Sequence, residues 1–504
     1  MGSKIMDDVS LQTDLYDYQA EAADKLSESR VGALFMDMGT GKTRTAIELV
    51  MRRADRAKNA IWCCPVSLKE TIRQELAKHA PGADVHVFGE NTTSTSVPDS
   101  DWHVVGIESV SQSDRQVFAL DALVGEDTFM VVDESGYIKN HRAKRTRRLR
   151  QLGKRCRWRL ILTGTPISQG IEDLFAQMTF LSPEILGYRS FYAFADNHLE
   201  YHPDYKGLVV RTHNEAYLAA KMQPYVYQVT KDQALPGLPD KVHETRYFHA
   251  SAEQEALYDE AKSEMLMRLA PESIGSYEIF RLFTALQQIV CGFWNRREIS
   301  DEHIDDFGYI RISRGELSDL PVRHERASHG RIRALMKALE DITGRAGEDE
   351  KVIIWARYHY CVRQVICALG TEHGPGSVAE FHGHLGEEER AAELARWRDP
   401  DGARFLVATP ETGAHGLTLT EARYAIFYNN SFKYATRLQA EDRIHRIGQE
   451  RRPTYIDLVC SDTIDERIQK ALSEKGNVLE AFREEVEAVK EESEGAMQDL
   501  AQSL

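Results

Sequence analysis

The chain has 504 residues, 42% of them hydrophobic, and a formal net charge of −16. That length suits two to four domains, and that apolar content excludes a wholly disordered chain. The sequence shows no apolar run of membrane-spanning length and no signal peptide, so we expect a soluble, cytoplasmic protein with no membrane partner. Seven cysteines without a C-x-x-C pair argue for reduced thiols and against a structural zinc site.

Two stretches alternate short apolar runs with longer amphipathic segments. The first carries "GALFM", "AIWCC", "HVVGI", "FMVVD" and "RLILT"; the second carries "KVIIWA", "VAEFH", "RFLVA", "YAIFY" and "YIDLVC". This pattern predicts an α/β protein with two lobes, each a mainly parallel sheet flanked by helices. "LPGLPDK" (Leu235 to Lys241), with two prolines, reads as the crossing between them. The expected division is therefore 1–240 and 241–478. Helical additions are expected near 183–230 and near 250–328, and an acidic helical tail over 479–504. In that tail Val478, Phe482, Val486 and Val489 recur at helical spacing.

Charge is uneven along the chain. Lys139 to Arg159 holds eleven Lys or Arg and no acid, whereas Leu479 to Leu504 holds eight acids and two bases. The net charge alone argues against nucleic acid. The basic run reads either as a solvated helix flank or as a phosphate-contacting surface. The tail either packs on the second lobe or competes with nucleic acid for a basic groove.

"FMDMGTGKT" (Phe35 to Thr43) follows the first apolar run and precedes the helical "RTAIELV". That is the strand–loop–helix setting of a phosphate loop, although Met36 stands where the strict pattern has glycine. Met38, Gly39, Thr40 and Gly41 would offer backbone N–H groups to phosphates, Lys42 would reach the terminal phosphates, and Thr43 would ligate Mg2+. "FMVVDE" puts Asp133 and Glu134 at a buried strand end, where ligands bind in open α/β sheets. Asp133 would hold the metal and Glu134 would polarise a water. "LTGTP" (Leu162 to Pro166) ends another strand and is read alone as a turn. "QAEDRIHRIGQERR" (Gln439 to Arg452) reads as a helix that gives way to a loop at Gly448. Gln439, Arg443 and Arg446 would share one face of it. The two arginines would supply positive charge to a departing phosphate.

These motifs, in this order, resemble the Swi/Snf-type ATPases of helicase superfamily two, over about Leu15 to Lys475. "LYDYQAEAADKL" is similar to the family's adenine-reading glutamine motif, with Gln19 at the matching place. "CCPVSLKETIRQEL" and "GIESV" resemble first-lobe DNA-contact motifs, which gives Ser67, Lys69 and Ser109 that role. "DESGYIKN", "LTGTPISQGIEDLFAQMTFLSPEILG", "GAHGLTLTEA" and "QAEDRIHRIGQ" match further motifs, and "TIDERIQKALSEK" the helix that closes the second lobe. By the same resemblance Gly416 and Gln439 belong to the ATP site and Thr409 to the DNA path.

The resemblance implies two RecA-like lobes, with ATP and Mg2+ as cofactors and double-stranded DNA as partner. It implies a monomeric translocase that does not separate strands and tracks phosphates rather than bases. A strand-separating helicase and a nucleotide-dependent clamp with weak hydrolysis are the alternatives. Three departures mark a divergent branch: Gly136 replaces a usual His, Thr418 replaces a usual Asn, and "QVTK" stands in for a more basic motif. A compact motor of this kind suits a bacterial cell or a bacteriophage-infected host.

Overall fold

The computed structural model describes residues 9–167, 170–201, 209–264, 276–297, 322–413 and 417–474. The chain divides into two compact units: one ends at Leu238 and the other, apart from residues 415–417, runs from Pro239 onward. Each holds one large sheet.

In the first unit the strands are β1 (Val31–Met36), β2 (Asn59–Cys64), β3 (Val85–Val87), β4 (Trp102–Gly106), β5 (Thr128–Asp133) and β6 (Trp158–Thr163). A two-stranded antiparallel pair, β7 (Leu199–Tyr201) and β8 (Val209–Thr212), stands apart, and β9 (Val226–Val229) returns to the main sheet. The order is β3-β4-β2-β5-β6-β1-β9, parallel throughout. β1, β2, β4 and β5 are buried along their whole length. Unbroken apolar runs such as "VGALFM" are what a strand covered on both faces requires. Alternate residues feed two cores. Ala33 and Phe35 meet Leu149 and Leu152 of the helix Lys144–Gly153, while Leu34 and Met36 meet Ala22, Leu26, Ile47 and Val50 on the opposite face.

The second unit contains β10 (Val242–Phe248), the antiparallel pair β11 (Phe293–Arg297) and β12 (Val322–Arg326), then β13 (Val352–Trp355), β14 (Val378–Phe381), β15 (Phe405–Ala408), β16 (Tyr424–Phe427) and β17 (Thr454–Cys460). Its main sheet runs β10-β17-β16-β13-β15-β14, again parallel. A buried ion pair fixes the helix Ile464–Ser473 to this sheet. Arg331, fully buried, pairs with Asp465 and donates to the Tyr428 and Leu458 carbonyls at 2.6 and 3.0 Å.

The α/β class with two parallel sheets is as the sequence pattern predicts. The stretch 183–230 is not purely helical, because it contains the β7–β8 hairpin and ends in β9 as an edge strand. The stretch 250–328 likewise holds the helices Ala252–Lys262 and Ser276–Val290 and the antiparallel pair β11 and β12. The acidic tail lies outside the described residues. No helix among the described residues is long and apolar enough to cross a membrane.

Candidate nucleotide site and arginine segment

Residues 37–41 turn over the C-terminal end of β1 into the helix Lys42–Met51. Gly39 and Gly41 have φ of 81° and 78°, a region in which side chains are strained. Gly41 has a second reason to lack a Cβ, which would sit 2.2 Å from Gln19 Nε2. That Gln19 amide, 2% exposed, donates to the Thr40 and Gly41 carbonyls at 3.1 and 3.4 Å, and its oxygen accepts the Tyr16 N–H at 3.0 Å. Tyr18 donates its hydroxyl to the same Thr40 carbonyl at 3.0 Å. The glutamine segment and the loop therefore form one hydrogen-bonded body. Lys42 donates to the Met36 and Asp37 carbonyls at 2.7 and 3.1 Å, which holds its ammonium against the loop. Asp37 accepts the Lys231 N–H at 2.8 Å, so the "QVTK" segment that ends β9 is moored to the same loop.

β5 delivers Asp133, 7% exposed, to the same edge of the sheet. Glu134 follows with φ 50° and ψ 56°. A non-glycine residue rarely adopts that conformation, and here it breaks the strand's alternation at the acid pair. Burial first and the Glu134 carboxylate second push the Asp133 carboxyl up to about 7, with the Lys42 ammonium pulling the other way. A buried carboxylate is a ligand suited to a hard divalent cation such as Mg2+, and Thr43, on the first turn of the helix Lys42–Met51, offers a hydroxyl of the same hard type.

β6 lies between β5 and β1, and its end joins the two. A Cβ on Gly164 would meet Met38 Cγ at 3.2 Å and the Met36 carbonyl at 3.4 Å, so "LTGTP" packs directly on the phosphate loop. Gln177 then ties this turn to the acid pair. It accepts the Ser135 hydroxyl at 2.6 Å and donates to the Pro166 carbonyl at 2.8 Å. Read alone as a turn, the segment is in fact the bridge of the site.

The residues given a DNA role divide. A Cβ on Gly106 would lie 2.4 Å from Val66 Cγ2 and 3.1 Å from Ser109 Oγ, and Glu108 accepts the Val66 N–H at 3.0 Å. The exposed Ser67, in the 3-10 turn Val66–Leu68 after β2, and the half-buried Ser109, in the short helix Ile107–Gln112 after β4, are thereby brought close. Lys69 instead donates to the Phe88 carbonyl at 2.8 Å. Thr409, 5% exposed, follows β15 in the second unit, where its carbonyl accepts the Gly413 N–H at 2.8 Å. Gly416 lies outside the described residues.

The arginine segment requires a correction. The helix Tyr434–Glu441 contains Gln439 but ends before Arg443 and Arg446, well short of Gly448. Beyond Glu441 the backbone tightens, with Arg443 N–H donating to the Ala440 carbonyl at 3.3 Å and Ile444 N–H to Glu441 at 3.1 Å. The two arginines do not share a helical face with Gln439. Tertiary ion pairs override the periodicity: Lys241 reaches Glu441 and Asp442 at 2.9 and 3.3 Å, and the His445 ring bonds the Pro239 carbonyl at 3.0 Å. Burial depresses the Lys241 ammonium, but Asp442 and Glu441 outweigh it and hold the group above its ordinary range. Arg437, 6% exposed, pairs with Glu441 and Asp457 and lies 3.5 Å from the Phe427 ring centroid. The "LPDK" segment thus clamps the turn that carries Arg443, 8% exposed, and Arg446.

Comparison with known proteins gives the family. Residues 18–293 match the SNF2-related domain and residues 331–448 the helicase conserved C-terminal domain. The chain belongs to the SNF2-related family. It is similar to an uncharacterised ATP-dependent helicase of Mycoplasma genitalium, 23% identical over 90% of this chain and 40% of the relative. It is also similar to the SWI/SNF-related matrix-associated actin-dependent regulator of chromatin subfamily A-like protein 1 of Xenopus tropicalis, 22% identical over 94% of this chain and 45% of that protein. The chain thus spans less than half the length of both relatives. Among solved structures, the Sulfolobus solfataricus SWI2/SNF2 ATPase core in complex with dsDNA is 22% identical, with a TM-score of 0.42 over 99% of both chains.

Within the SNF2-related part, three residues of the site were not singled out in the sequence. Gln177 and Asp37 act through partners 42 and 194 residues away, which no local pattern signals. Gly164 stood inside a motif whose packing partner was unknown. Gly136, where the family usually has His, has nothing within 4 Å of a built Cβ and no positive φ. Neither space nor backbone conformation demands glycine there.

Proposed function

We propose that this SNF2-related chain is a DNA-stimulated ATPase that steps along double-stranded DNA without separating its strands. The observation that carries the reading is the body formed by Gln19, the phosphate loop, Gly164 and the acid pair. A nucleotide bound at that loop would touch groups already hydrogen-bonded to one another. Gln19, Met38, Gly39, Thr40, Gly41 and Lys42 would hold ATP, and Thr43 and Asp133 would hold Mg2+, whose chemistry is to neutralise phosphate charge. Glu134 would orient the attacking water, and Arg443 and Arg446 would offset charge on the departing phosphate. Gly416 and Gln439 would also contact the nucleotide, and Ser67, Ser109, Lys69 and Thr409 would line the DNA path. With 1–240 and 241–478 as its lobes, the enzyme would act as a monomer in the cytoplasm of a bacterial or bacteriophage-infected cell.

Two DNA substrates test the mode of action. One carries a third strand in the major groove, which a translocase strips off without opening the duplex. The other is a forked duplex, which a strand-separating enzyme resolves. The reading predicts ATP-dependent release from the first and none from the second; release from the fork alone would sink it.

A further inference from the structure

The basic run Lys139 to Arg159 is largely accounted for by the fold. Arg148 and Lys144 pair with Asp114, Arg145 donates to the Tyr137 carbonyl, and Lys139 pairs with Asp173. The far end of the run differs. Around the start of β6 the chain lines a cleft of 730 Å³ with Lys154, Arg155, Arg157 and Arg159, joined by Arg30 before β1 and by Gly125 and Glu126 before β5.

Five basic side chains face one acid in that lining. Two of the five have structural duties. Arg155 pairs with Asp121 and donates to the Val124 carbonyl at 2.9 Å, and Arg159 donates to the Gly153 carbonyl at 2.9 Å. Arg155 thereby satisfies a carbonyl at the end of the helix Asp114–Leu123, and Arg159 one at the end of the helix Lys144–Gly153. The Arg159 Nε is buried without a hydrogen-bond partner. Arg30, Lys154 and Arg157 are exposed. Among the described residues none of these three forms a salt bridge, and Arg157 rests over the Trp158 ring at 5.4 Å. Five cations against the single acid Glu126, in a chain of net charge −16, amount to a local positive field in a molecule that is negative overall.

The cleft lies at the N-terminal edge of β1, β5 and β6, whereas the phosphate loop and the acid pair lie at the C-terminal edge. Six strand residues at about 3.3 Å each separate the edges by about 20 Å. It is therefore distinct from the nucleotide site.

We propose that this cleft is a second phosphate-binding site, which grips the backbone of a further segment of nucleic acid through Arg30, Lys154 and Arg157. Guanidinium forks match the two free oxygens of a phosphodiester, and an ammonium between them adds charge without demanding geometry. The choice of nucleic acid as occupant rests on the proposed function above. Such a site would let one molecule hold two stretches of DNA, one on its path and one beneath the first sheet.

The test compares the whole chain with a triple variant, R30A/K154A/R157A, by fluorescence anisotropy of a short labelled duplex across a salt series. All three side chains are exposed, so the variant should melt as the wild type does. Each lost phosphate contact lowers the slope of log affinity against log salt by about 0.9, so the proposal predicts a slope shallower by about 2–3. It also predicts a fall from two short duplexes bound per chain to one. ATP turnover at saturating duplex should be unchanged, because the cleft is remote from the nucleotide. An unchanged slope and stoichiometry would overturn the proposal. So would a variant that loses binding of inorganic tripolyphosphate or of poly-glutamate while keeping its duplex slope, since the cleft would then serve free phosphate or an acidic protein. A wild type whose turnover ignores duplex DNA would count against the functional reading, while the slope comparison still decides the cleft.

Discussion

The phosphate-loop region of the first unit and the arginine segment of the second are held in place in different ways. The first is built from regular elements, and its side chains mostly bond to backbone: Gln19 to Thr40 and Gly41, Lys42 to Met36 and Asp37, Gln177 to Pro166. The second leaves its helix at Glu441 and depends on ion pairs between side chains, with Lys241, Glu441, Asp442, Arg437 and Asp457 in one network. Hydrogen bonds of this kind to backbone carbonyls involve no second buried charge. A turn pinned by buried charges is more sensitive, because removing one partner strands another charge in a poor solvent. The comparison predicts that the first region fails when its chemistry is removed, and the second when its support is removed.

The largest effects should follow changes to the chemistry of the first region. Lys42→Ala should abolish hydrolysis, and Glu134→Gln should cut turnover by about 10²–10⁴-fold while ATP binding, read by a fluorescent nucleotide, survives. Near-normal turnover in either variant would place the nucleotide site elsewhere. Next in size, Arg443→Ala and Arg446→Ala should each slow turnover at least ~100-fold with little change in nucleotide affinity. A mild effect in both would assign the segment to another surface.

Support is tested by Lys241→Met. It removes one cation from the buried pair Glu441 and Asp442, so turnover should fall although no residue of the proposed chemistry is altered. Arg437 still partners Glu441, so the expected loss is about 10-fold, smaller than for either arginine. Equal loss in Lys241→Met and Arg443→Ala would mean that the clamp and the arginines act as one unit. For stability alone, Arg331→Met should lower the unfolding free energy of the second unit by about 3–5 kcal/mol, because Asp465 is left buried and unpaired. Denaturant unfolding followed by Trp fluorescence would detect it. The smallest effect is expected for Gly136→His. The open space around that position predicts a stability change within about 0.5 kcal/mol. Any change in DNA-stimulated turnover would then report on coupling rather than folding.

The same contrast decides what could be read from the sequence. Strands buried on both faces announce themselves by unbroken apolar runs, so β1, β2, β5 and β6 and the loops at their ends were legible. β10, "VHETRYF", was missed because only part of each face is covered and its polar residues mask the run. β9 and β3 are short edge strands with the same defect. The phosphate loop and acid pair could be found because their chemistry is contiguous. The end of the arginine helix could not, since Lys241 lies 200 residues from Glu441 and helical spacing carries no trace of that pairing. Gln177 and Gly164 escaped notice for a related reason: each matters through a contact made across neighbouring strands.

The central claim is that duplex DNA drives ATP turnover at the site built around Lys42 and Glu134. The most direct measurement is the steady-state ATPase rate of the whole chain against duplex DNA, single-stranded DNA and RNA, with Glu134→Gln as the blank. The account predicts strong stimulation by duplex DNA that falls steeply as salt rises, little by RNA, and none in the variant. A rate indifferent to duplex DNA, or one that Glu134→Gln leaves intact, would contradict it.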